Sequence, residues 1–332
     1  MAAPSSARAG HAAAVAGGRV LLVGGHNGLG PLRTLEEFTP GEDVDSPGTW
    51  RELPPMQSRR SYLSTAVAGG RLYALGGTSD GRVLNSFEVF ELEREQWAPW
   101  FRNQPSLQRR TTLACALHEE GSGNGPVLYV AGGFDNVRDL KSVEGLNLLT
   151  HSWERMEPML QARSYHAMVA TSAGIFAIGG QDRSGAEKEV DEVEAVHDAV
   201  SALNDVEFFS FETEAWEHHT PMDIPRQGLA AACLVTEEGD ELVYVCGGSD
   251  GKSALASVDV LDPKTGRWSP GPPMNAARSA HVLVAVGGRL YAIGGADESG
   301  VLDTFECLDP TEGRWSKPIK MGGAPVAAIT DA

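Results

Sequence analysis

The chain has 332 residues, 42% of them hydrophobic, and its 27 Lys and Arg stand against 45 Asp and Glu for a formal net charge of −18. That balance argues against nucleic acid and anionic membranes as partners, because phosphate binding needs a positive surface. No apolar run approaches the length of a membrane span, and Met1 to Ala7 lacks the basic and apolar make-up of a signal peptide.

Length alone suggests two domains, but a repeat overrides that prior. The first copy runs from Arg8 through Gly24-Gly25 to Trp50, and its stretch AVAGGRVLLVGG holds two apolar strands around Gly17-Gly18. Paired glycines reach the positive φ that a tight hairpin turn demands, so this is a hairpin. The second copy, Arg60 to Gly76-Gly77 to Trp97, repeats the sentence as AVAGGRLYALGG and adds a third strand at Ser86 to Phe90. Copies three to six follow with Arg110, Gly132-Gly133 and Trp153; Arg163, Gly179-Gly180 and Trp216; Arg226, Gly247-Gly248 and Trp268; and Arg278, Gly294-Gly295 and Trp315. From second glycine to tryptophan is 20 residues in four copies, 25 in the first and 36 in the fourth, so these two carry insertions. An acidic residue recurs nine before the tryptophan at Glu88, Glu144, Glu207, Asp259 and Glu306, with Glu36 equivalent once the first insertion is removed. A methionine recurs six after it at Met56, Met159, Met222, Met274 and Met321.

The apolar runs are short and bounded by turns, as strands are, and never as long as a helix. Four strands per copy cannot bury both faces alone, so the copies stack, and a ring leaves no free edge. The sequence therefore predicts an all-β, six-bladed β-propeller of four-stranded antiparallel blades, a single domain over 1–332. The blades fall at about 8–56, 60–104, 110–159, 163–222, 226–274 and 278–321, with an acidic insertion at 184–203 in blade 4. Cys115, Cys233, Cys246 and Cys307 fall in predicted strands without metal spacing and read as buried thiols of a reducing compartment. The expected location is cytoplasmic, with the nucleus as the alternative.

The diglycine, the downstream acidic strand and the tryptophan, in register six times, resemble the kelch motif over residues 8–321. The resemblance implies blades whose strand A, beginning at the arginine, is innermost and whose strand D, beginning at the tryptophan, is outermost. Connections D-to-A and B-to-C then emerge on one face, and all six strand-A starts ring the channel there. In BTB-kelch ubiquitin-ligase adaptors, similar in repeat but not in domain composition, arginines at this position help grip acidic peptides. The candidates implied here are Arg60, Arg110, Arg163, Arg226 and Arg278, with Arg8 nearer a chain end. Guanidinium forks suit carboxylates. The structural alternative is that these arginines pair with the strand-C carboxylates or with backbone groups.

Function is expected where the copies differ, since what every blade shares every blade needs. Tyr62, Tyr165, His166 and His281 follow their arginines by two or three positions, Phe134 follows its diglycine, and charges double at Arg59-Arg60 and Arg109-Arg110. Trp100, Phe101 and Arg102, in a lengthened D-to-A connection, are hot-spot residue types or else packing. Catalytic signals are thin. The Asp262 to Trp268 and Asp309 to Trp315 strings are not sialidase aspartate boxes. A copper-oxidase site has no placement, and Glu187, Asp191 and His197 miss the iron spacing of kelch-type specifier proteins. The expectation is a non-enzymatic, monomeric interaction module or substrate-recognition adaptor, without cofactor or metal, whose arginine-lined face binds an acidic protein segment. Its rival is a kelch-type isomerase or hydrolase acting on a small acidic metabolite, as in sialic acid mutarotases. No BTB or F-box region fits before Arg8 or after Met321, so service to a ubiquitin ligase would need another chain.

Two further expectations concern the ends of the ring and the largest insertion. Residues 325–330 stand where a seventh strand A would begin, but the local hairpin of the Arg8 to Val15 segment with Arg19 to Val23 closes the shorter loop and should displace it. Val190, Val193, Val196, Val200 and Leu203 recur at helical intervals in the acidic insertion, which reads as a solvated acidic segment or as an amphipathic lid over the arginine mouth.

Overall fold

The structure, a computed structural model, describes residues 7–99, 108–119, 125–183 and 201–322. The blade 4 insertion, except its last residues, the Trp100-Phe101-Arg102 segment and the 325–330 tail lie outside the described residues. No α-helix occurs among the described residues. Six four-stranded antiparallel blades form the propeller expected from the repeat.

Blade 1 is built from strands Ala12–Ala16, Arg19–Val23, Leu35–Thr39 and Thr49–Leu53, and the other blades follow the same A-to-D order. In the sixth, strand C at Thr304–Asp309 is flanked by Arg314–Trp315 and by Ile319–Lys320. The A strands, Ala12–Ala16, Ser64–Ala68, Ala114–His118, Ala167–Ala170, Ala230–Val235 and Val282–Val286, pack against one another in a closed cycle. They are rich in small residues because the centre of a ring has least room. Ala12–Ala16 pairs with Arg19–Val23 through Gly17 and Gly18, at φ 55° and 76°, so the N-terminal segment supplies strand A of the first blade.

Apolar residues fill the space between successive blades in six clusters, one per junction. The recurrent methionines are buried there. Four of the recurrent tryptophans also bond across a junction: the indole N–H of Trp97, Trp216, Trp268 and Trp315 donates to the carbonyl of Pro54, Glu157, Thr220 and Pro272 at 2.7–2.9 Å. Both glycines of each diglycine have positive φ, and a Cβ on the first would lie well inside 3.0 Å of the next blade's arginine carbonyl. These are positions where the fold tolerates no side chain.

The blade 1 insertion has a task. Its C-to-D loop reaches over the junction with blade 6, where Val44 is buried among Tyr291, Phe305 and Cys307. Asp45 pairs with Arg314 at 3.1 Å, and Arg289 donates to the Gly41 carbonyl at 3.4 Å. The loop is a clasp over the junction between the first blade and the last.

Candidate interaction face

The arginine ring is internal. Arg8, Arg60, Arg110, Arg163, Arg226 and Arg278 are 0–1% exposed. In five blades Nη1 donates to the carbonyl of the first diglycine residue at 2.8–3.0 Å and to a carbonyl at the start of strand C at 2.8–3.3 Å. Nη2 pairs with the recurrent carboxylate: Arg60 with Glu88 at 3.2 Å, Arg110 with Glu144 at 2.8 Å, Arg163 with Glu207 at 2.5 Å, Arg226 with Asp259 at 2.6 Å and Arg278 with Glu306 at 2.8 Å. Arg8 pairs with Glu36 in the same way. Several of these carboxylates also accept backbone N–H groups from the incoming D-to-A connection, Glu207 from Leu160 and Gln161, Glu306 from Asn275 and Ala276. Each arginine thus ties strands A, B and C of its blade to the loop that enters it. The expectation that Arg60, Arg110, Arg163, Arg226 and Arg278 line the open face is corrected: their forks are spent inside the blades. Burial lowers the Arg60 and Arg110 pKa values despite the raising effect of Glu88 and Glu144.

His166 and His281 are corrected likewise. With His11 they occupy the third position after the arginine, the place that Leu63, Leu113 and Leu229 hold in the other blades, and all six are 5–6% exposed. Each imidazole packs on the first diglycine residue of the preceding blade, His11 on Gly294, His166 on Gly132 and His281 on Gly247. Burial lowers all three pKa values, that of His281 to about 3, and the neighbouring arginines add to the effect. Neither His166 nor His281 has a protein hydrogen-bond partner for its ring nitrogens. They are neutral core residues.

The second position after the arginine behaves differently. Gly10, Tyr62, Thr112, Tyr165, Gly228 and Ala280 all have φ between 51° and 62°, a conformation that costs a non-glycine residue about 1–2 kcal/mol. The return is a closed circle of backbone hydrogen bonds. Each N–H donates to the carbonyl of its equivalent in the preceding blade, from Tyr62 to Gly10 at 2.5 Å round to Gly10 to Ala280 at 2.9 Å. Tyr62 and Tyr165 therefore stand on a strained backbone that glycines at two equivalent positions signal.

Bridges between the residue after each arginine and the residue after each diglycine, such as Ala9 with His26 and Ser164 with Gln181, bring the B-to-C loops around this circle. The copies differ here. On the side of blades 5, 6 and 1 the circle carries only Gly228, Ala280 and Gly10, leaving a cup of about 420 Å³ walled by Tyr62, Tyr165, His26 and Arg183. The tyrosine rings meet edge to face at 5.6 Å, and the Tyr62 hydroxyl lies 3.0 Å from His26 Nε2. Burial pushes the Tyr165 phenol up to about 12, so it is neutral. Phe134, partly exposed, lies under Arg183, whose guanidinium carbon is 4.5 Å from the ring centroid. Arg183 also pairs with buried Asp139 at 3.0 Å. Burial raises the Asp139 pKa against the lowering effects of Ser164 and Arg183. The Gln181 amide, with its nitrogen toward Gln227 and its oxygen toward Arg183, completes the wall. Sequence reasoning missed His26, Asp139, Gln181, Arg183 and Gln227; for His26 and Gln181 the signal was the variable residue after the diglycine.

Around the cup the rim is charged in two halves. Over blades 1–3 Arg33, Arg59, Arg82, Arg109 and Arg138 are exposed against Asp80, and none of the five arginines makes an ion pair among the described residues. In each doubled pair the first arginine, Arg59 or Arg109, faces solvent and the second is buried. Over blades 4–6 the described residues expose Asp223, Asp250 and Glu298, with Lys252 beside them. Leu29, Val137, Leu160 and Ile224, 38–95% exposed, sit on loops of this same face. The cysteines are free thiols; Cys246 and Cys307 are buried, whereas Cys115 and Cys233 are only partly so. No helix among the described residues is long and apolar enough to cross a membrane.

A ring of contiguous four-stranded blades, each locked by arginine, diglycine and tryptophan, defines a kelch-type propeller. A family profile described as the KLHDC2/KLHL20/DRC7 Kelch-repeats domain matches residues 2–180 and 194–330, and the chain belongs to the kelch-repeat family. Kelch-like protein 26 of Danio rerio is 28% identical over 222 residues, covering 66% of this chain and 32% of that protein. Beta-scruin of Limulus polyphemus is 26% identical over 270 residues, covering 76% and 26%. Kelch domain-containing protein 8B of Homo sapiens is 27% identical over 159 residues, covering 45% and 42%. The matched region thus spans less than half the length of each of these relatives. A solved structure described as "Structure of YjhT" superposes with a TM-score of 0.70 at 15% identity, covering 91% of this chain and 96% of that one, a likeness of fold.

Proposed function

We propose that the protein is an interaction module, an adaptor-type propeller whose mouth face holds a partner protein's acidic segment against the cations of blades 1–3. The observation that carries this reading is the run of exposed arginines without an ion pair among the described residues, Arg33, Arg59, Arg82, Arg109 and Arg138, on the mouth face of a chain whose net charge is −18. A local field opposite in sign to the whole molecule selects and orients acidic partners. Exposed Leu29, Val137, Leu160 and Ile224 add apolar contact area to the same face. The acidic-partner expectation is therefore kept, with different residues bearing it. The rival enzyme acting on a small acidic metabolite has less support, because the six arginines that would hold its carboxylate are buried in ion pairs. Free thiols are in keeping with work in a reducing compartment such as the cytoplasm.

The test is capture of a fluorescent glutamate-rich peptide by wild type and by an Arg59→Glu, Arg109→Glu variant. Wild type should bind it in preference to a lysine-rich peptide, less tightly as salt rises, and the variant should lose at least about tenfold in affinity with an unchanged melting temperature. Equal binding of the two peptides by wild type would refute the proposal.

A further inference from the structure

The chemistry inside the cup differs from that of its rim. Most polar side chains of the wall engage one another, Tyr62 with His26, Arg183 with Asp139 and Gln181, and Gln181 with Gln227, and its one charged side chain, Arg183, is thereby paired. The backbone amides of the floor are consumed by the six-membered circle of hydrogen bonds. A charged group entering the cup would shed water and find no unpaired opposite charge, which is costly. An uncharged side chain meets two tyrosine rings together with Gly228, Ala280 and Ala296, in a volume of about 420 Å³. The cup is off centre because the circle position is tyrosine in blades 2 and 4 and small in blades 5, 6 and 1. Its low side thus opens toward the rim that carries Asp223, Asp250, Asp297 and Glu298. Hydrogen bonds from Ser299 and from the Ser253 and Lys252 amides lower the Asp297 and Asp250 pKa values and keep both ionised.

From this arrangement we infer that the partner segment is charge-segregated: acidic residues lie over blades 1–3, one large uncharged residue anchors in the cup, and basic residues lie over blades 4–6. The inference rests on the acidic-partner reading and adds a polarity and an anchor to it. A uniformly acidic segment crossing the mouth would carry half its carboxylates onto a rim of its own sign. A segment with alternating charges would be half mismatched on both sides. Segregation satisfies both rims at once, and the uncharged anchor is the one residue that can desolvate without loss.

Three synthetic peptides on the full chain test it at low ionic strength, by fluorescence anisotropy. One has a glutamate block, a central phenylalanine and a lysine block; the second is the same composition with glutamate and lysine alternating around the phenylalanine; the third has glutamate on both sides. The block peptide, made in both chain directions, should in one direction bind about tenfold tighter than the alternating peptide. Replacing its phenylalanine by glutamate should weaken it by a similar factor. In an Asp223→Lys, Glu298→Lys variant, folded by circular dichroism, the order should invert, with the glutamate-only peptide now bound better than the block peptide. If the glutamate-only peptide binds wild type while block and alternating peptides bind alike, segregation is overturned and the acidic-partner reading stands. If neither the glutamate-only nor the block peptide binds, both are overturned.

Discussion

Acid should loosen this propeller well above the pH at which carboxylates titrate. His11, His166 and His281 are buried neutral between blades, and each must stay unprotonated for the fold to persist. An unfolded chain has no such restriction, and its histidines take up protons below about pH 6.5. Since the folded pKa values are lowered, the unfolded state binds more protons throughout the window below 6.5, so stability is full above that value and declines as pH falls toward the folded values. At pH 5 His281 alone, with a folded value of about 3, favours the unfolded state by about 2 kcal/mol, and His11 and His166 act in the same direction. That is already a large part of the stability of an ordinary domain, about 5–15 kcal/mol. Urea unfolding followed by tryptophan fluorescence from pH 7.5 to 5 should show the midpoint falling steeply. The control is written in the chain itself: a His11→Leu, His166→Leu, His281→Leu variant copies Leu63, Leu113 and Leu229 and should flatten the dependence. A wild-type midpoint independent of pH, or a leucine variant with the wild-type slope, would refute the argument.

Arg163→Met should destabilise by about 3–5 kcal/mol in urea, because it strands Glu207 in the interior, and Arg163→Met with Glu207→Leu should recover much of the loss; a stable single mutant that no longer captured acidic peptide would return that arginine to the binding face. Gly76→Ala should cost several times more than Gly69→Ala in thermal melts, since both have positive φ but only Gly76 abuts a backbone carbonyl, that of Arg110 at 2.6 Å from an added Cβ. Val44→Asp should lower stability by about 2–4 kcal/mol, whereas the exposed Val137→Asp should leave it within about 0.5 kcal/mol, both read from urea midpoints.

Much of the fold was written in spacing. Arginine, diglycine, carboxylate and tryptophan recur at intervals set by strand length, and each recurs because every junction needs it. That same recurrence explains why the arginines misled. A guanidinium repeated in all six blades is more plausibly a fixture of the blade than a ligand-binding group, and only the side-chain contacts with Glu88, Glu144, Glu207, Asp259 and Glu306 decide between the two. Histidine alternating with leucine at one position was a legible sign of burial, as glycine alternating with tyrosine was of a left-handed backbone. Arg183 and Asp139 were illegible for the opposite reason. Each occurs once, and they meet only because blades 3 and 4 are neighbours at the mouth.

The clasp of blade 1 has a consequence for how the ring comes apart. Because all four strands of the first blade are contiguous, no strand among the described residues is interleaved between the two ends of the ring, and the described residues hold the seam with blade 6 by the same weak forces as every other junction. The bonds from Arg8 to Leu302, Gly295 to Arg8 and Gly10 to Ala280 are the ones whose loss is not opposed by tethering. Opening there is a hinge motion like a bracelet coming undone, with the Gly41 to Asp45 loop as its catch. Their amides should then exchange with deuterium sooner than the equivalent amides of the five tethered junctions, and the bared Phe38, Tyr291 and Phe305 would make this seam the place where one molecule can adhere to another.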